Sequence, residues 1–278
     1  MPQWELQLQG RVGEMKLEDV MVKRVGLLLV VALLASSALA KKKPSPQVDL
    51  EGITARGRLL AEYDVAAWHS TDAVQAMHPE KGRVRRFIGR KTDAGWIVSY
   101  GRLNDSGNRF LVVYEATQGA TPQQFTVKEY DPPKEDTGFE YFGAQAIETV
   151  ARDFRGENRR YNVAVLPADS NQMYVYVYPA QTRQGIYPLG GDVRYLISVD
   201  GSSIVEKRQL HKAILELSYT STPDRKVEGG SHSHVLSDVP EDTDVFFVLT
   251  RKPSIPEYIG TKNVVYVVET DGTIRVAK

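Results

Sequence analysis

The sequence contains no cysteine at any of its 278 positions. Without thiols the chain forms no disulfide, no thiolate zinc site and no iron–sulfur cluster, and it has no cysteine nucleophile. Hydrophobic residues make up 42% of the chain, which is typical of a globular protein with a buried core. We therefore expect the fold to depend on packing, and any transition metal to be held by histidine and carboxylate side chains.

The charges of the chain balance, with 35 lysine and arginine residues against 35 aspartate and glutamate residues. Nonspecific binding to nucleic acid requires a basic surface that displaces counterions from the phosphates. A chain of zero net charge is therefore not expected to have a nucleic-acid partner. The sequence also lacks the Gly-x-Ser-x-Gly turn of serine hydrolases and the glycine-rich P-loop of nucleotide-binding proteins.

Residues 21–40 have the three parts of a secretory signal peptide. The basic residues Lys23 and Arg24 precede an apolar run at 25–35, and Ala38-Leu-Ala40 provides a cleavage site. The apolar run of 11 residues is shorter than the ~20 residues that span a bilayer, so we expect no stable membrane insertion after cleavage. Residues 1–20 are polar and acidic, which suits an upstream extension and makes Met21 a candidate start. The prediction is export, to the periplasm or to the extracellular medium.

Hydrophobic periodicity predicts that residues 41–135 form one helix followed by a four-stranded antiparallel meander. Apolar residues recur at helical spacing from Thr54 to Met77 and stop at Pro79. Strands are predicted by four β-rich runs separated by turn residues, at 85–90, 96–103, 110–116 and 125–130. The last strand is expected to end before Asp131-Pro-Pro133. Because the helix can cover the apolar face of the sheet, the unit is compact.

Residues 136–278 are predicted to form a second, mixed unit. Helices are expected from Tyr141 to Phe154 and from Pro240 to Thr250. Strands are predicted at 161–166, 173–178, 193–199, 203–207, 213–219, 263–269 and 273–276. We therefore expect an α+β fold, in which an N-terminal helix with an antiparallel meander sheet packs on a C-terminal mixed α/β unit.

A candidate partner surface lies on the strand predicted at 173–178. Tyr174, Tyr176 and Tyr178 alternate along it, so all three face one side. An exposed stripe of three aromatic rings suits binding to a glycan, a peptide or another protein. The competing interpretation is half-burial of the stripe against a neighbouring helix.

Metal ligands are suggested by a His-x-His motif near the C-terminus. If His232 and His234 lie on extended backbone, their side chains point the same way and two imidazoles converge on one cation. Asp244 follows ten residues after His234, in the first turns of a predicted helix. Asp238 is expected to cap this helix, with Glu241 as its capping-box partner. Two histidines and one carboxylate leave a fourth position for water, as in a catalytic zinc site. The competing interpretation is a solvated polar loop.

At these residues the chain resembles the JAB/MPN (JAMM) family of zinc metallopeptidases. The family motif is a distant glutamate, then His-x-His-Pro, then Ser-x-x-Asp at the start of a helix. The resemblance covers about residues 193–276, and it implies that His232, His234 and Asp244 are zinc ligands. It also implies a helix and then an extended strand after the aspartate, as the elements predicted above provide.

Three positions of the family motif are not matched in this sequence. Val235 stands where the family has proline, and Glu241 stands where it has serine. The glutamate of the family is the general base that activates the zinc-bound water. No upstream glutamate has a recognisable context, and Glu148 and Glu157 are candidates by chain order only.

Two functions are therefore open from the sequence. The first is a noncatalytic binding or structural protein of the cell envelope, favoured by the tyrosine stripe and by the lack of a complete catalytic set. The second is a zinc-dependent hydrolase of peptide or isopeptide bonds that uses His232, His234 and Asp244. A carboxylate within one water molecule of a point shared by these three ligands would favour the hydrolase.

Overall fold

The computed structural model describes residues 49–219 and 226–277. Within these ranges the chain has three α-helices and four β-sheets, and its residues belong to one compact unit. The predicted α+β class with an N-terminal helix is confirmed. The predicted signal peptide and the extension before it lie outside the described residues. Among the described helices, none combines the length and the apolar composition that a membrane span requires.

The first sheet is the antiparallel meander that the sequence predicts. Its strands, paired in chain order, are β1 (Arg86–Thr92), β2 (Gly95–Leu103), β3 (Phe110–Gln118) and β4 (Phe125–Asp136). Helix α1 (Leu50–Gln75) precedes the sheet and covers it. Its buried residues Leu60 and Tyr63 pack near Trp96 of β2, and the Tyr63 and Trp96 rings meet edge to face at 5.7 Å. The helix therefore contributes apolar side chains to the core beside this sheet.

The prediction that β4 ends before Asp131 is wrong, because the strand continues to Asp136. Its pairing with β3 passes from Glu129 directly to Lys134, so Pro132 and Pro133 lie in a bulge without ladder hydrogen bonds. β4 is also an edge strand. Prolines, which lack an N–H, are tolerated in strands at edges and bulges.

The second sheet is antiparallel and has four strands. The elements of this region are α2 (Phe139–Asp153), β5 (Tyr161–Pro167), β6 (Met173–Pro179), β7 (Tyr187–Gly190), β8 (Val193–Ile197), β9 (Ile204–Gln209) and β10 (Ile214–Leu217). The order of the strands in the second sheet is β5-β6-β8-β9. Strands β7 and β10 pair with each other as a separate two-stranded sheet. Helix α2 shares one core with the first and second sheets, where Ile147 and Val150 are buried with Ile88 of β1 and Val175 of β6.

The third sheet is mixed and carries the C-terminal helix. Its strands are β11 (Gly230–Ser233), β12 (Glu257–Gly260), β13 (Val265–Val268) and β14 (Ile274–Val276), with β11 parallel to β12. Helix α3 (Asp242–Thr250) buries Val245 and Val248 against this sheet. α3 also packs closely on α1 at Gly57, where a Cβ atom would lie 2.5 Å from the Cβ of Val245. A side chain at position 57 would therefore separate the two helices.

Three short strands, β7, β11 and β12, were not predicted from the sequence. Each has four residues and contains or adjoins glycine or proline, which are residues typical of loops. These segments are extended because other parts of the chain pair with them. Tertiary pairing of this kind overrides weak local propensity.

The tyrosine stripe on β6 lies largely in the interior. Tyr176 and Tyr178 are buried, and their hydroxyl groups donate to Asp242 Oδ2 (2.8 Å) and Asp64 Oδ1 (3.0 Å). Tyr174 alone is partly exposed, under the guanidinium of Arg194. The structure therefore favours burial over an exposed stripe, and a partner of these three residues would reach only Tyr174.

Candidate metal centre

Four side chains from separate elements meet beside the third sheet. His211 lies between β9 and β10, His232 is on β11, His234 directly follows β11, and Asp244 is in the first turn of α3. The backbone N–H of His234 donates to the carbonyl oxygen of Gly260 (2.8 Å), which continues the pairing of β11 with β12. The extended backbone that the metal-site hypothesis requires of the His-x-His motif is thus present, and it directs both imidazoles to one side.

The ligand atoms of the four residues all lie within 4.8 Å of one another. Asp244 Oδ1 is 3.1 Å from His211 Nε2 and 3.0 Å from His232 Nε2. His234 Nε2 is 3.0 Å from His211 Nε2, 3.2 Å from His232 Nε2 and 3.2 Å from Asp244 Oδ2. Neighbouring ligand atoms around a tetrahedral zinc ion are about 3.3 Å apart, given bonds of about 2.0–2.1 Å. The cluster therefore has the spacing of metal ligands.

The outer nitrogen of each imidazole contacts a hydrogen-bond acceptor. The three pairs are His211 Nδ1 with Asp192 Oδ1 (2.8 Å), His232 Nδ1 with Glu257 Oε1 (2.9 Å) and His234 Nδ1 with the Val239 carbonyl oxygen (2.9 Å). When Nδ1 carries the proton and donates it to these acceptors, the Nε2 lone pair of each neutral ring is directed at the centre. Three lone pairs and a carboxylate that face one another repel unless a cation lies between them. This outer layer of acceptors is typical of histidines that bind metal.

Asp244 is oriented by the start of helix α3. The N-cap residue is Glu241, so the prediction that Asp238 caps the helix is wrong. Pro240 disfavours helical backbone at the residue before it, so the helix begins only after this proline. The backbone N–H of Glu241 donates to Asp244 Oδ2 (2.7 Å), while Oδ1 faces His211 and His232. Local helix geometry therefore fixes this carboxylate.

The centre is buried, and its surroundings favour positive charge. The side chains of His232, His234 and Asp244 are at most 3% exposed, and that of His211 is 8% exposed. Burial disfavours the imidazolium form of His211, but Asp192 and Asp244 outweigh it and hold the pKa of His211 well above its usual value. Burial likewise opposes charge on His232, yet hydrogen bonds from its ring to carboxylates raise its pKa to about 9. The pKa of Asp244 lies well below its usual value despite burial, because the three histidines surround it.

Behind His232, a buried arginine holds Glu257 in place. Arg251 Nη1 donates to Glu257 Oε2 (2.6 Å), and both side chains are completely buried. The Arg251 guanidinium also lies 4.3 Å from the centre of the Tyr219 ring. Asp192 differs from Glu257, because among the described residues no lysine or arginine pairs with it. Its Oδ1 accepts both the backbone N–H (3.1 Å) and the Nδ1 proton of His211.

The structure brings together the three predicted ligands, His232, His234 and Asp244, and adds His211. The sequence around position 211, Leu210-His-Lys212, contains no motif. The only signal in the sequence was the residue type, since the chain has just five histidines. Position 211 reaches the centre because β9 ends near the third sheet, at the same side where β8 begins, which is a property of the tertiary fold.

The two candidate bases are placed elsewhere. Glu148 lies on α2, and its carboxylate pairs with Arg86 of β1. Glu157 lies in the connection between α2 and β5, where its backbone N–H donates to the Tyr161 hydroxyl oxygen (2.9 Å). Neither glutamate is among the described contacts of the four-residue cluster. The carboxylates that do contact its histidines, Asp192 and Glu257, were not singled out in the sequence.

Comparisons of the chain with protein-family models, curated proteins and solved structures found no match. The resemblance to the JAB/MPN family stays a prediction that depends on the motif residues. In the structure Asp244 does lie in the first turn of a helix, as the family motif requires. The same structure adds His211 at the position that a family member would leave to water.

Proposed function

We propose that this protein holds one zinc ion between His211, His232, His234 and Asp244, and that it serves as a noncatalytic binding or structural protein of the cell envelope. The observation that carries the proposal is the direction of the imidazoles, each with Nδ1 against an acceptor and Nε2 towards one point. The signal-peptide pattern at residues 21–40 supports the assignment to the cell envelope.

The buried charges support a divalent cation. With neutral imidazoles, the centre contains the carboxylates of Asp192, Asp244 and Glu257, and one compensating guanidinium, Arg251. Three negative charges and one positive charge leave two negative charges unbalanced in the interior. Unpaired buried charge is strongly unfavourable. A doubly charged metal ion balances the centre, as do protons on two of its imidazoles when no metal is bound.

The donor atoms support zinc among the divalent ions. Three imidazole nitrogens and one carboxylate oxygen suit zinc and other late transition metals, whereas calcium and magnesium prefer oxygen ligands. Zinc in structural sites has four protein ligands in a tetrahedron, and the distances of 3.0–3.2 Å in this cluster fit that geometry.

The number of protein ligands supports a noncatalytic role. A catalytic zinc site has three protein ligands and keeps a fourth position for water or substrate. Here His211 Nε2 lies 3.1 Å from Asp244 Oδ1 and takes the fourth position. The side chains are also buried, which leaves a substrate little access to the ion. A hydrolase of the JAB/MPN type would need His211 to leave the ion, so that water could take the fourth position.

The test is zinc binding by chelator-stripped full-length protein, measured by calorimetric titration and by elemental analysis. We expect one equivalent of zinc and a higher melting temperature on addition of zinc. The variants His232→Ala and Asp244→Asn are expected to lose both effects. The chain offers matched controls, because His69 and His78 are the two histidines outside the cluster, and their alanine variants should bind zinc normally.

Cobalt in place of zinc distinguishes the two roles. A closed site should give the visible spectrum of four-coordinate cobalt, unchanged by added azide. His211→Ala should open one position, so that azide then alters the spectrum. An azide response in the unmodified protein would contradict the noncatalytic role, and failure of the stripped protein to bind zinc or cobalt would contradict the proposal altogether.

A further inference from the structure

A cleft of about 560 Å³ lies away from the metal centre, between α1 and the turn that joins β3 to β4. One wall is formed by His69 and Asp72 of α1, and the other by Gln123, Gln124 and Phe125 at the turn. The turn is closed by a hydrogen bond from the Gly119 N–H to the Gln124 carbonyl oxygen (2.8 Å). Both walls therefore belong to defined elements.

An exposed tryptophan lies next to His69, one of the residues that line this cleft. Trp68 is 63% exposed, whereas Trp96, the other tryptophan of the described residues, is 4% exposed. The Trp68 ring stacks on the ring of His69, with 4.8 Å between centroids and 15° between planes. Trp68 and Asp72 are four residues apart on α1, so they share one face of the helix. A flat aromatic platform thus adjoins the polar cleft.

The walls of the cleft carry polar side chains that face the platform region. Among the described residues, the side chains of Asp72, Gln123 and Gln124 make no hydrogen bond or ion pair. Together they offer a carboxylate that accepts hydrogen bonds and two amides that both donate and accept them. Side chains of this kind bind the hydroxyl groups of a ligand, which replace the water molecules that otherwise occupy an open surface.

From this arrangement we propose that the cleft binds the sugar rings of a neutral glycan, with Trp68 as the stacking platform. A pyranose ring has an apolar face of C–H groups that packs on an aromatic ring, and its edge carries hydroxyl groups. Asp72 and the two glutamines are placed to bind those hydroxyl groups. The site is independent of the proposed metal centre, so a negative result for one proposal does not contradict the other.

The surroundings of Trp68 favour a glycan over a protein partner. The centre of a protein interface is a continuous apolar patch, depleted of charge and surrounded by a polar rim. Here the tryptophan is followed directly by polar groups, and most of the cleft residues that project from the turn are polar. An open cleft with one aromatic platform admits the side of a sugar chain without burying a large apolar area.

The experiment uses the full zinc-loaded chain and two probes, insoluble peptidoglycan sacculi for cosedimentation and a soluble tetramer of N-acetylglucosamine for calorimetry. We expect both to bind, and Trp68→Ala to weaken binding about tenfold, since an exposed aromatic anchor dominates a small site. Gln124→Ala, on the opposite wall, should weaken binding less and serves as a second variant if Trp68→Ala folds poorly. Tyr258→Ala is the matched control, because Tyr258 is an exposed aromatic residue on β12 of the third sheet.

Four results would overturn the proposal. The first is that the unmodified chain binds neither probe, and the second is that Trp68→Ala and Gln124→Ala both bind as tightly as the unmodified chain. The third is that Tyr258→Ala weakens binding as much as Trp68→Ala does. The fourth is that the sacculi bind while the sugar tetramer does not, which would indicate binding to the peptide part of the wall or a charge interaction that about 1 M salt screens.

Discussion

Two carboxylates on the first turn of α3 have the same burial and different partners. Asp242 and Asp244 are both completely buried and are two positions apart. Asp242 accepts hydrogen bonds from Arg56 Nε (2.9 Å), from Arg194 and from the Tyr176 hydroxyl group (2.8 Å). Asp244 faces imidazoles, which can be neutral. Arginine keeps its charge, so the first carboxylate is balanced at every pH, whereas the second is balanced only by protonated imidazoles or by a bound cation.

The largest expected effect is at the ion pair between Asp242 and Arg194. Asp242→Asn removes the charge partner of the mostly buried Arg194, and breaking such a pair typically costs about 3–5 kcal/mol. We expect this loss in the free energy of unfolding, measured by urea denaturation, both with zinc and with a chelator. Zinc stoichiometry should be unchanged. A loss of zinc in parallel with stability would show that the two carboxylates do not act separately.

The second change acts on the carboxylate that faces the histidines. Zinc at about a thousand times its dissociation constant stabilises a folded protein by about 4 kcal/mol. Asp244→Asn should abolish this zinc-dependent gain, so that the variant unfolds at the same urea concentration with zinc and with chelator. The measurement is the same denaturation series as for Asp242→Asn. A gain that persists in Asp244→Asn would indicate that the ion does not bind this carboxylate.

The third change compares the two carboxylates behind the histidines. Loss of an outer partner of a metal-binding histidine typically lowers metal affinity about 10–100-fold. Asp192→Asn and Glu257→Gln should each produce this loss, measured by competition with a chromophoric chelator. Glu257→Gln should destabilise the zinc-free protein more than Asp192→Asn does, because Arg251 stays charged and buried without its partner, whereas His211 can lose its proton when Asp192 is neutralised. Equal stability of the two zinc-free variants would contradict this difference.

The smallest expected effect concerns a buried carboxylate with a neutral partner. Burial raises the pKa of Asp64 to about 6, and the Tyr178 hydroxyl group offsets this only in part. The folded state therefore holds the proton more tightly than the unfolded chain, so the contribution to stability is full below about pH 4, falls as the pH rises from about 4 to about 6, and is lost above that. Asp64→Asn removes this loss, so it should stabilise by about 1–2 kcal/mol at pH 8 and have little effect at pH 4. Denaturation at both pH values checks the sign.

Much of the fold was predictable because its main elements have strong local signals. The spacing of apolar residues indicated α1, and the turn residues after Thr92 and Leu103 marked the strands of the meander. The weak points were positions where pairing decides the backbone. β12 follows Pro256 and has only four residues, yet it is central to the third sheet because β11 and β13 both pair with it.

The candidate site was predictable only where its residues are neighbours in sequence. His232 and His234 form a recognisable pair, and Asp244 opens a helix that follows closely. His211 and its partner Asp192 were missed because 19 and more positions separate them from each other and from the motif, and no local pattern marks either residue. Their meeting depends on where β8 begins and β9 ends, which periodicity does not specify.

The position of His211 has a consequence for how the chain opens. It is 33 positions from Asp244, so a bound ion joins the two ends of one long segment that includes β10 and β11. A covalent cross-link would also restrict the unfolded chain, whereas this closure exists only in the folded state. Its strength therefore follows the concentration of free zinc. When zinc is scarce, hydrogen exchange should accelerate first in this segment, while the meander sheet, whose core lies elsewhere, keeps its protection.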